Sequence, residues 1–235
     1  MFRQFNSLLW LRRKIILSNK VILLQVLMPI GLTHLYKFMI DNQPESEGNL
    51  GVTYLMICLS LAFVLAIGGP VLTVMAEEKE KNTFKVLMLS GVHFVEYILS
   101  TIFFPLIISA VYIVILPYIL NIHIKYLLTY VIVCSITATA ILLLYLLLGL
   151  IAKSQVMAQA FAIPTMLVSA FLPMLSGMNE TISKIVDYSY VGLFTNLFTK
   201  WESFSWGKSM LQFSSIVIWI ISFSILILIV ARKQK

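Results

Sequence analysis

The sequence predicts an all-α integral membrane protein with six transmembrane helices, and three observations carry that prediction. Of its 235 residues 60% are hydrophobic and 11% charged, and the mean hydropathy is +0.96, whereas soluble domains are typically nearer one half apolar. The apolar residues fall into six runs long enough to cross the ~30 Å hydrocarbon layer of a bilayer. Basic residues are divided unevenly between the segments joining those runs, as an oriented membrane protein requires. The formal charge of +7 therefore reports topology, and no nucleic-acid partner is expected.

In chain order, residues 1–19 mix Phe2, Phe5, Leu8, Leu9, Trp10, Ile15 and Ile16 with Arg3, Arg12, Arg13 and Lys14, which suits an elbow helix lying in the cytosolic headgroup region. Span 1 covers about residues 21–40, has no small-x-small cleavage site, and is expected to be retained. Gln25, Pro29, His34 and Lys37 make it the weakest span, and a five-span layout with this segment on the surface is the structural alternative. Asp41, Pro44, Glu45, Glu47 and Gly48 then mark an acidic external loop. Span 2, about residues 51–76, is ~39 Å of helix and should project past the bilayer, with a kink at Gly68, Gly69 and Pro70. Spans 3 and 4 occupy about 94–120 and 126–152, joined outside by Asn121–Lys125, and spans 5 and 6 occupy about 156–175 and 210–231. Placing both ends in the cytosol puts twelve Lys and Arg inside and five (Lys37, Lys125, Lys184, Lys200 and Lys208) outside.

The most polar stretch, Glu77 to Val92, sets six charges in nine residues between spans 2 and 3. Asn82 and Thr83 offer an N-cap, Gly91 suits a C-terminal cap, and the segment 82–91 is expected to be a short cytosolic helix. Phe84, Leu87 and Met88 share one helical face, an apolar ridge that needs a partner. Glu78-Lys79-Glu80-Lys81-Asn82-Thr83, then Leu87, then Ser90-Gly91-Val92 resembles the stretch after the second span of ABC-2 type (type V) transporter permeases, commonly Glu-Arg-Glu-x-Gly-Thr, a Leu-rich turn and Ser/Thr-Pro. Asn82 stands for the usual Gly and Gly91 for the usual Pro. The resemblance implies a coupling helix that docks into a separate ATPase subunit. Phe84 and Leu87 would seat in its groove and Glu78, Lys79 and Glu80 would set the electrostatic register, with Glu77 also among the coupling residues. A plain cytosolic loop rich in Glu and Lys is the alternative.

Residues 177–208 are too polar for a span yet carry Tyr188, Tyr190, Phe194, Phe198, Trp201, Phe204 and Trp206. Phe194, Phe198 and Trp201 share a face, so the segment belongs at the outer interface or dips into the membrane beside other helices. The resemblance implies a re-entrant pair capping the path from outside, with Tyr188, Tyr190, Phe194, Phe198 and Trp201 as its gate; an aromatic belt without gating is the alternative. Asn179-Glu180-Thr181 also fits a glycosylation acceptor, relevant only in a eukaryotic secretory route.

Catalytic signatures are missing from the chain. No Gly-x-x-x-x-Gly-Lys-Ser/Thr loop occurs, so the chain is not expected to hydrolyse ATP, bind a cofactor or act as an enzyme; ATP and Mg belong to a partner. His34, His93 and His123 are scattered, Cys58 and Cys134 lie in apolar runs, and no metal site is expected. Glu96 is the only acidic residue within a span, which argues against a proton relay. The resemblance implies one permease domain over residues 1–235 in a plasma membrane, pairing with a second permease, identical or different, and with two ATPase subunits. Short external loops and few ionisable groups in the spans suit an amphipathic or apolar cargo leaving the inner leaflet. The small, Lys/Ile-rich chain resembles permeases of bacterial peptide exporters, including those for phenol-soluble modulins and bacteriocin self-protection. Drug, lipid or polysaccharide export, and a non-transporting scaffold or lipid enzyme, are the alternatives.

Overall fold

A computed structural model describes residues 2–42 and 50–232, which are helical with no strand among the described residues. Most of the expected acidic loop, and Lys233 and Lys235, lie outside them.

Helix α1 (Phe2–Ser18) and α2 (Lys20–Asp41) are separated by Asn19 alone. The Asn19 carboxamide oxygen accepts from the N–H groups of Val21 at 3.0 Å and Ile22 at 3.4 Å, an N-cap that stops α1 and starts α2. The next run is a single rod of 31 residues from Leu50 to Glu80, made of α3 (Leu50–Ala62), a π-helical segment (Phe63–Gly68) and α4 (Gly69–Glu80).

The disturbance expected at Gly68, Gly69 and Pro70 takes the form of that π segment, immediately upstream of the proline. Pro70 has no N–H to give and sits in the first turn of α4, where none is needed, while the Gly69 N–H reaches five residues back to Val64 O. Gly68 is required by packing. A Cβ there would lie 2.6 Å from the Tyr145 ring of α7 (Leu127–Ile151), so its bare backbone lets the two helices touch.

The remaining elements are α5 (Thr83–Leu89), α6 (Phe94–Ile119), α8 (Gln155–Leu175), α9 (Glu180–Asp187), α10 (Gly192–Thr199), a 3-10 turn (Trp206–Ser209) and α11 (Met210–Arg232). Six helical runs are long and apolar enough to cross a membrane: Lys20–Asp41, Leu50–Glu80, Phe94–Ile119, Leu127–Ile151, Gln155–Leu175 and Trp206–Arg232. Their most apolar stretches are 67% buried in the α3–α4 rod against 17% in α2 and 22% in both α8 and α11, which makes the rod the central post. Outward-facing Leu24, Phe38, Val156, Ile163 and Ile218 on the flanking helices suit contact with lipid. Arg12 of α1 reaches Glu78 beside α5, and Ala231 near the end of α11 lines one cavity with α5, so these parts gather at one end of the bundle.

Candidate functional site

The charged end of α4 is braced by four consecutive side chains that reach four different parts of the chain. Glu77 accepts from Asn19 Nδ2 at the α1–α2 junction at 3.4 Å, and from Lys81 Nζ one turn on at 2.5 Å. Glu78 is buried, accepts from the Arg12 guanidinium of α1 through Oε1, and accepts from the Tyr97 hydroxyl of α6 through Oε2 at 2.7 Å. Lys79 donates to Leu150 O at the end of α7. Glu80 accepts the Gln155 N–H at 2.7 Å, a carboxylate set on the positive end of α8. Movement of this stub is therefore felt by α1, α6, α7 and α8.

Arg12 closes the triangle. Its guanidinium lies 4.9 Å from the centre of the Tyr97 ring while pairing with Glu78. Burial by itself lowers the Arg12 pKa, but the charge of Glu78, together with Tyr97, outweighs it and holds the group above its ordinary value. Glu78 was expected to face a partner. It is instead an internal residue, because the helix rise from Glu77 to Glu80 turns it toward α1 and α6.

Helix α5 follows after a single tight reversal. Asn82 stands at the N-cap position but in the left-handed conformation at φ 58°, and its side chain makes no capping bond, unlike the expected cap. The other end matches expectation more fully. Gly91 has φ 86°, its N–H donates to Met88 O at 3.2 Å, and Val92 N–H donates to Leu87 O at 3.3 Å, which together form a Schellman ending. Proline, the commoner residue here in the resembled stretch, could not adopt this φ or donate that bond, so Gly91 is a different solution rather than a conservative exchange. Nothing lies within 4 Å of a Cβ built on Gly91. Gly91→Ala should therefore lose only backbone strain, about 1 kcal/mol, and Gly91→Pro about 3 kcal/mol or more, read as thermal unfolding of the purified protein.

The ridge of Phe84, Leu87 and Met88 was expected to face outward and instead faces the bundle. Phe84 is buried edge-on against Tyr97 with ring centres 5.0 Å apart, Lys79 Nζ lies 5.9 Å from the Phe84 ring centre, and Leu87 and Met88 pack on the core. The side chains that α5 presents outward are Val86, 62% exposed, and Leu89, 79% exposed, with Lys85, Asn82 and Thr83. Glu96 is buried in the first turn of α6 and accepts from the His93 N–H at 3.4 Å.

On the far side of the bundle, the expected aromatic stripe comes together in the interior. Gly192 to Phe198 are all buried, with α10 against α3, α7, α8 and α11. Phe194 meets Phe63 of the π segment at 5.9 Å and Phe198 at 4.7 Å, and Trp201, beyond the helix end, lies 5.3 Å from Phe198 and 6.1 Å from Tyr130. Tyr190 bonds Ser169 of α8 at 2.6 Å. Tyr188 stands apart: its ring is exposed, while its carbonyl accepts from Ser215 Oγ and Trp219 Nε1 of α11. Sequence reasoning missed Arg12, Tyr97, Phe63 and Tyr130. A lone arginine on an apolar helix face and tyrosines inside spans were the available signals.

The structure is thus a bundle of candidate membrane spans whose central rod ends in a charged stub tied to α1, α6, α7 and α8, with the short helix α5 attached to that stub. Residues 5–232 match the family model described as ABC-2 family transporter protein. The chain belongs to that family and is a membrane permease of an ABC exporter, and membership implies association with ABC ATPase subunits. Neither a curated protein nor a solved structure matches the chain.

Proposed function

We propose that α5 is the coupling helix of this permease, facing the cytosol with both chain ends, and that it seats Val86 and Leu89 in a groove of a separate ATPase subunit. The bracing of Glu77–Glu80 carries the reading. ATP-driven displacement of α5 pulls on the end of the central α3–α4 rod and, through Glu78 and Glu80, on α1, α6 and α8 at once. The π segment, where Phe63 touches Phe194, passes the motion to the buried aromatic cluster of α10, which serves as the external gate through Tyr190, Phe194, Phe198 and Trp201. Two permeases, of one or two kinds, complete the path, and ATP and Mg are held by the ATPases.

The cargo is an amphipathic molecule, a peptide in the first instance, exported from the cytosolic leaflet. Apolar faces on α2 and α8 and the shortage of ionisable groups in the spans support this class. The test is ATP-dependent accumulation in proteoliposomes holding the permease and its ATPase, comparing an amphipathic helical peptide with a hydrophilic peptide of equal length. Only the first should accumulate. Equal handling of both, or movement of lipid label alone, would overturn the peptide assignment. Leu89→Asp should weaken co-purification of the ATPase by about tenfold, the loss of one buried leucine, with unchanged thermal stability because the side chain is exposed. Full retention would remove α5 as the docking element.

A further inference from the structure

Beside α5 lies a cavity of about 830 Å³ between α4, the α5–α6 turn, the α7–α8 connection and the end of α11. Its described lining carries three lysines, Lys79, Lys85 and Lys153, with His93, and no carboxylate. The remainder is mostly apolar, with Phe84 and Met88 among the lining side chains. We propose that this cavity binds an anionic phospholipid of the adjoining leaflet, its phosphate on the lysines and an acyl chain along the apolar wall.

Position, charge and shape each favour this occupant. The cavity lies where α4 and α11 end, α6 begins and α7 passes to α8, at one end of the candidate spans, where a headgroup would sit if those runs cross a bilayer. Lys79 gives one of its three N–H donors to Leu150 O, leaving two for a ligand, and Lys85 and Lys153 are exposed. Three lysines with no carboxylate in the described lining, beside an apolar wall, are complementary to a headgroup phosphate joined to a hydrocarbon tail. The neighbouring carboxylates are already engaged: Glu77 by Asn19 and Lys81, Glu78 by Arg12 and Tyr97, Glu80 by Gln155, and Glu96, outside the lining, by the His93 N–H with its Oε2 3.7 Å from His93 Nδ1. Because the cavity shares Lys85 and Leu89 with the outward side of α5, bound lipid also shapes the surface offered to a partner. The site requires only that the six runs span a bilayer; it does not depend on sidedness, cargo or an ATPase.

The full chain, purified in uncharged detergent and stripped of lipid, is titrated with phosphatidylglycerol, phosphatidylcholine or inorganic phosphate. Bound lipid is counted by native mass spectrometry, and protection of Lys85 and Lys153 from acetylation is followed in parallel. Phosphatidylglycerol should bind and protect both lysines. Lys85→Gln/Lys153→Gln should weaken it about five-fold per lysine, roughly 25-fold together, and Lys85→Glu/Lys153→Glu should abolish it. Both positions are exposed, so the variants fold. Equal binding by parent and variants, equal binding of phosphatidylcholine, or protection by inorganic phosphate alone would overturn the proposal. So would an acidic peptide that protects the lysines where the lipid does not, since the occupant would then be a protein.

Discussion

Glu78→Gln is expected to destabilise the protein by about 3–5 kcal/mol, because it leaves the Arg12 guanidinium buried without a counter-charge. At about 2–4 °C per kcal/mol for a chain of this size, the melting temperature in detergent should fall by roughly 10 °C. The sign follows from asymmetry: an ion pair taken out of water gains little over an apolar pair, whereas one orphaned charge loses the whole of its solvation. Arg12 Nε and Nη2 already have no partner among the described residues, so Glu78 and the face of Tyr97 are its main compensation. The double replacement Arg12→Met/Glu78→Met should therefore restore most of the lost stability. Differential scanning fluorimetry of the single and double variants measures the coupling directly. A single variant as stable as the parent would remove the triangle as a structural element. If the double variant melts like the parent but transports poorly, the pair serves transmission between α4 and α1 rather than folding.

The contrast between what the sequence announced and what it concealed follows from range. The six spans are written in local hydropathy, and the end of α5 in a single glycine, so both could be read residue by residue. The partner of Glu78 is 66 positions away, and no local pattern marks which of several arginines in α1 turns inward. The orientation of α5 was ambiguous for a different reason. Phe84, Leu87 and Met88 form one apolar face, but Val86 and Leu89 form another, and only the position of Tyr97 decides which is buried. The aromatic stripe of α10 was visible as a stripe. Its burial depended on Phe63, whose placement is set by a π segment with no sequence mark beyond the Gly-Gly-Pro that follows it.

Gly68→Ala is the second substitution expected to act strongly, with a loss of about 2–3 kcal/mol from a single added methyl group. The new Cβ would fall 2.6 Å from both Cγ and Cδ2 of Tyr145, well inside contact, and it meets the near edge of a ring rather than the end of a flexible chain. Tyr145 is itself almost wholly buried and its hydroxyl has no hydrogen-bond partner among the described residues, so the ring has little room to rotate away. The π segment must then separate from α7 at the level where it meets the aromatic cluster of α10. Gly149→Ala provides the control on the same pair of helices. Its Cβ would lie 2.9 Å from Met75 Sδ and 3.2 Å from Met75 Cβ, and a thioether can turn aside, so the loss should stay below about 1 kcal/mol. Tyr145→Leu should suppress most of the Gly68→Ala defect by removing the ring that collides. Thermal unfolding of the four proteins separates steric collision from lost helix flexibility, since a flexibility effect would leave Gly68→Ala equally impaired with leucine at position 145.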